Sequence, residues 1–121
     1  VLEGSKVDVR GGGILTFVGD PDTLLVILLS GGLDIGPGGQ IVLDSIPIEH
    51  VLWLQTGNSG SPFFQEFAEF RAGTIISPNQ LRIFIRNNVT VEGSLVGRRI
   101  LTEQGSQILH RPFTGNPVPS P

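Results

Sequence analysis

The chain has no cysteine, no methionine and no tyrosine, and its only lysine is Lys6. Without cysteine there is no disulfide, no thiolate zinc site and no cysteine nucleophile. The missing initiator methionine fits a chain that has been processed or trimmed, as export would do. A basic excess is also missing. The net charge is −3, which argues against a nucleic-acid partner. Long hydrophobic runs are absent: the longest, Leu24 to Leu29, falls far short of the ~20 residues that a membrane-spanning helix needs. No anchor motif is seen at the C-terminus.

Glycine is plentiful. Seventeen in 121 residues, with nine prolines, is about double the average glycine usage of ~7%. Charged residues make up only 16% and apolar content is ordinary, unlike a disordered chain. The composition describes one folded domain with many tight corners, where glycine supplies the left-handed conformations that turns require. The domain is expected over residues 1–115. A proline-rich tail over 116–121 has the composition of neither a helix nor an interior strand.

Short aliphatic segments alternate with glycine-rich or polar corners throughout, which predicts strands. Val7 and Val9 flank Asp8. Ile14-Leu15-Thr16-Phe17-Val18 lies between Gly11-Gly12-Gly13 and Gly19-Asp20-Pro21-Asp22. Gly36-Pro37-Gly38-Gly39 turns the chain again before Ile41-Val42-Leu43. The single helical candidate lies near residues 62–71, where Phe63, Phe67 and Phe70 fall at helical spacing behind Pro62. A strand reading of that segment segregates its residues poorly, and both stay open.

One phrase occurs twice. Gly73-Thr74-Ile75-Ile76-Ser77 returns as Gly93-Ser94-Leu95-Val96-Gly97, each followed by polar residues and another apolar run. A β-solenoid repeats in this way, because equivalent residues of successive coils stack in ladders. The expected fold is all-β, a short right-handed parallel β-solenoid (β-helix) of about six coils. Leu81, Ile83, Ile85, Val89 and Val91 are expected to point inward, and Arg82, Arg86, Thr90 and Glu92 outward. Ile75 and Leu95 should stack.

Three blocks carry a family resemblance: His50-Val51-Leu52-Trp53-Leu54, then Gly73-Thr74-Ile75-Ile76-Ser77-Pro78-Asn79, then Gly93-Ser94-Leu95-Val96 with Ile108-Leu109-His110-Arg111-Pro112-Phe113-Thr114-Gly115. In this order they resemble the choice-of-anchor A family of exported bacterial surface domains, and share a rhythm with ice-binding-like adhesion domains. The match spans about residues 48 to 115. It implies a right-handed solenoid at the cell surface or outside the cell, and a structural hydrogen bond for His110.

No motif points to catalysis or to a cofactor. Asp20-Pro21-Asp22-Thr23 offers two carboxylates, but an oxygen cage for calcium needs six to eight ligands, and the motif reads as an Asx turn. The glycine clusters lack the lysine-serine pair and helix of a phosphate loop. His50 and His110 have no partner at metal-ligand spacing. The threonines, Thr16, Thr23, Thr56, Thr74, Thr90, Thr102 and Thr114, form no T-x-T pairs of the kind that suit an ice-binding face. Trp53 lies in a run that is apolar on both faces, which suggests core rather than a sugar platform. Asn88-Val89-Thr90 matches a glycosylation acceptor by chance.

Leu24, Leu25, Val26, Ile27, Leu28 and Leu29 are the most telling residues. Six consecutive aliphatics imply that both faces of a strand are covered, by a helix, by the chain's own extension or by a neighbouring subunit. The expectation is a secreted, non-enzymatic structural protein that self-assembles into a homo-oligomer, filament or surface layer. Its candidate contacts are Leu24 to Leu29, Val7 and Val9, and the tail residues Pro117, Val118 and Pro119. A monomeric adhesin for ice or carbohydrate is the alternative.

Overall fold

A computed structural model describes residues 1–57, 60–80 and 82–114; Leu81 and the tail residues Pro117, Val118 and Pro119 lie outside the described residues. Strands account for nearly all regular structure, all pairings are parallel, and the chain winds as a β-solenoid with three faces. The first face stacks β1 (Leu2–Gly4), β4 (Leu25–Leu29), β7 (Val51–Gln55) and the second halves of β9 (Glu69–Ser77) and β11 (Thr90–Gly97). The second stacks β2 (Val7–Val9), β5 (Leu33–Ile35), β8 (Phe63–Phe64), β10 (Ile83–Ile85) and β12 (Ile100–Thr102). The third stacks β3 (Ile14–Val18), β6 (Gln40–Asp44), the first halves of β9 and β11, and β13 (Gln107–His110).

Register ties the windings together. Leu2 pairs with Ile27, Ile27 with Trp53, Trp53 with Ile75 and Ile75 with Leu95, so the expected stack of Ile75 on Leu95 is present. Windings are fewer than the about six expected. The early ones take wider circuits, because extra residues such as the 3-10 turn Ile48–His50 are accommodated at their corners. The repeated phrase spans only the last two windings, where β9 and β11 run from the third face to the first without a break.

Alternation along the short strands fills the interior. Ile83, Ile85, Val89 and Val91 are buried as expected, while Arg82 is exposed and Arg86, Thr90 and Glu92 are half-buried on the outside. Trp53 is core: its Nε1–H donates to the Ala72 carbonyl at 2.9 Å, and its ring meets Phe17 and Phe70 edge-on. That bond gives the indole N–H the partner it needs when buried.

The helix considered near residues 62–71 does not form. Phe63 and Phe64 make β8, the chain turns, and Glu69 opens β9. Phe64, Ala68 and Phe70 face the core, Phe63 faces out, and Phe67 stands 63% exposed at the corner. The helical spacing of Phe63, Phe67 and Phe70 is therefore no shared face: one points outward from β8, one stands at the corner and only Phe70 is core.

That turn belongs to a series. Between the second and third faces every winding places a left-handed residue two positions before the next strand: Gly12 (φ 73°), Gly38 (69°), Phe67 (62°), Asn88 (58°) and Gly105 (80°). Pro37 before Gly38 is the pairing that a type II turn favours. The N–H of each of the first four donates to the next winding: Gly12 to Pro37, Gly38 to Glu66, Phe67 to Asn87, and Asn88 to Gln104. The glycine clusters at Gly11 and Gly36 are therefore corners, as expected.

Candidate assembly surfaces

Each end of the solenoid is open among the described residues. Among the described residues β1, β2 and β3 pair on one side only, with β4, β5 and β6. At the other end β12 pairs only with β10, β13 only with β11, and the second half of β11 only with β9. A strand edge without a partner presents free N–H and C=O groups that can accept another strand. Side chains that point inward by parity then lack a winding above them. Leu2 is 46% exposed at the first end; Ile100 and Ile108 are 38% and 42% exposed at the last. Ile14, Val18 and Leu24 add to the first end, and Val96 and Leu109 to the last.

The outer side of the first face is largely aliphatic, apart from Thr74 and Ser94, which are buried. Register aligns Val26, Leu52, Thr74 and Ser94 in one outward row, and Leu28, Leu54, Ile76 and Val96 in the next, with Glu3 at its foot. No helix among the described residues lies over it. Beyond β13 the chain runs down the side of the molecule: Arg111 N–H donates to the Gly93 carbonyl, Phe113 N–H to Thr74 Oγ1 at 2.8 Å, and Thr114 N–H to the Glu49 carbonyl at 3.0 Å.

The expected contact residues divide by parity. Ile27, Leu29 and Val9 are buried core, and Leu25 and Val7 are half-buried and face inward with them. Val26 and Leu28 face outward, and Leu24 is exposed beside them. The aliphatic run is thus split between core and surface, with only its alternate residues on the outside. The rows also include Ile76 and Val96, and the ends include Ile100 and Ile108, which the sequence did not mark as surface. Their signal was the same aliphatic character that marks core.

Two arginines bind the windings from outside. Arg86 bridges Glu66 (3.0 Å) and Glu103 (2.8 Å), and Arg71 bridges Glu69 (2.9 Å) and Glu92 (3.2 Å), with Arg111 also on Glu92 (3.3 Å). The Glu103 hydrogen bond raises the Arg86 pKa above its ordinary value. The Glu69 hydrogen bond does the same for Arg71, against partial burial. These guanidiniums stay charged and carry no acid–base role.

The remaining motifs have structural geometry. Asp20 Oδ1 accepts from Asp22 N–H (2.8 Å) and from Thr23 Oγ1–H (3.3 Å), an Asx turn. His50 Nδ1 lies 3.0 Å from the Thr23 carbonyl, while His110 is exposed on β13. Gln55, buried inside the first corner, donates to the Gly31 and Gly60 carbonyls and accepts from Ser77 Oγ–H at 2.6 Å. Thr16, Thr74 and Thr90 each meet other residue types in register and form no threonine row. A groove of about 410 Å³ beside the second face brings together Lys6, Asp8, Asp34, Ser61 and Phe63. No group of three or more His, Asp or Glu among the described residues is placed to hold a metal ion. Comparison with family models, with curated proteins and with solved structures finds no match to this chain.

Proposed function

We propose that the protein is a non-enzymatic structural subunit that self-assembles into an extracellular filament or surface layer. The observation that carries this reading is the pair of open ends, where parallel strand edges and inward-pointing aliphatics lack a covering winding. Adding strands there would satisfy backbone groups and bury apolar area worth ~25 cal/mol per Å² before the cost of association. Placement outside the cell rests on the resemblance of the three motif blocks to exported surface domains. Sizing with light scattering over a wide concentration range tests the assembly. Mass that grows with concentration, and filaments or sheets in negative stain, are expected; a monodisperse monomer at high concentration overturns the reading.

A monomeric adhesin draws on a different feature, the groove where Phe63 stands beside Asp8, Asp34 and Lys6. An aromatic face flanked by carboxylates suits a carbohydrate. Retention on a glycan array that is lost in Phe63→Ala, by a chain that stays monomeric, would favour this second reading.

A further inference from the structure

The winding that begins at Leu2 and the one that begins at Leu95 have the same internal spacing. Leu2, Val7 and Ile14 hold equivalent positions on the three faces of the first; Leu95, Ile100 and Gln107 hold them in the last. From Leu2 to Phe17 and from Leu95 to His110 the order is identical residue for residue: three strand residues, two at a corner, three of strand, a four-residue turn, then strand. The turns also superpose in kind, with Gly12 at φ 73° and Gly105 at φ 80°. Each closes with an N–H of its fourth residue on the carbonyl of its first, Gly13 to Arg10 at 2.8 Å and Ser106 to Glu103 at 3.3 Å. The intervening windings share this spacing neither with each other nor with the ends, because their first corners are longer.

From this we infer that the partner at each open end is a second copy of this chain, stacked head to tail in one defined register. This rests on the assembly reading above. Leu95 of one copy lies on Leu2 of the next, Ile100 on Val7, and Ile108 on Leu15, so all three sheets continue across the join without a bulge. The interwinding bonds at the left-handed corner continue as well, with Gly105 N–H donating to the carbonyl of Gly11. The register makes one favourable and one unfavourable charge contact. Arg10 falls on Glu103, extending the alternating Glu66, Arg86, Glu103 contacts by one more arginine. The same register places Lys6 on Arg99, a like-charge pair. Residues 111–114 leave the last end clear, since they descend the side toward Thr74 and Glu49. The filament is therefore polar, with the solenoid axis along its length.

Two experiments on the full chain test the join. The natural absence of cysteine lets single thiols report neighbours. Equivalent residues on adjacent strands lie about 4.8 Å apart, inside the Cα range of about 4.4–6.8 Å that a disulfide spans. Glu3 and Val96 are exposed and adjacent in the inferred register, so Glu3→Cys and Val96→Cys chains are mixed and oxidised. The mixed disulfide is expected in clear excess over either symmetric one. In the second experiment Lys6→Glu and Arg10→Glu, which change net charge equally, are compared by scattering. Arg10→Glu is expected to raise the concentration for half-assembly about two- to five-fold, and Lys6→Glu to lower it by a similar factor, the range of exposed ion pairs. Assembly with symmetric or absent disulfides, or charge reversals that act in the same direction, overturns the register and leaves self-assembly standing. No assembly of the unaltered chain overturns both.

Discussion

Phe67 sits in a conformation that suits it poorly. It occupies a left-handed corner at φ 62°, where the equivalent residues are Gly12, Gly38, Asn88 and Gly105, and its side chain is mostly in solvent. An L-residue with a bulky side chain loses about 1–2 kcal/mol in this conformation, and asparagine tolerates it. Phe67→Asn is expected to stabilise the fold by about 1 kcal/mol in urea unfolding. Gly93 is constrained differently. Its φ is 148°, and a Cβ there would run into the carbonyl of Gly73 in the winding before it. Gly12 has open space around an equivalent Cβ. Gly93→Ala should therefore cost more than about 3 kcal/mol, or prevent folding, whereas Gly12→Ala should cost only the conformational strain of about 1 kcal/mol. Urea midpoints of the two variants compare a clash between windings with strain within one.

Among the elements, β7 sits at the centre of the first face and carries the largest core side chain. Trp53 contacts Phe17 and Phe70 and donates to the Ala72 carbonyl, so Trp53→Ala removes both the packing and that buried hydrogen bond. A loss of about 3–5 kcal/mol is expected, enough to unfold a chain of marginal stability, measured by urea or heat. Strands of this kind were legible. Aliphatic alternation in Ile83 to Ile85 and Val89 to Val91 gave the inward side without any knowledge of neighbours, because the side-chain period of two is a local property. The segment from Phe63 to Phe70 was not. It is broken by a turn whose left-handed residue is a phenylalanine, and no glycine or asparagine announced the break.

For the whole molecule the decisive feature is that aliphatic residues serve both as core and as outer rows. Ile108 points inward on the last winding yet remains exposed, since among the described residues no strand lies beyond it. Ile108→Lys is expected to lower the monomer's unfolding free energy by only about 1 kcal/mol, because the side chain is already partly in solvent. It should abolish growth in mass with concentration, because the lysine would meet Leu15 of the next copy. Scattering and urea unfolding of the same variant separate the two effects. The sequence pointed to Leu24 to Leu29 as an assembly element, and the structure places Leu25 to Leu29 in one strand of the first face. Only Val26 and Leu28 look outward, however, and Ile27 and Leu29 are core.

The sequence alone determined that this chain is built of short strands joined by tight corners, and that its last windings repeat. Glycine at turns and aliphatics at alternate positions act within a few residues of themselves, and their meaning survives any packing. Only the tertiary structure decided which residues of distant windings stand on one another, because the corners absorb a variable number of residues and so hide the spacing. The likeness of the first and last windings went unread for that reason: between Leu2–Phe17 and Leu95–His110 only the leucine at the start and two glycines coincide, and it is the backbone, not the side chains, that repeats.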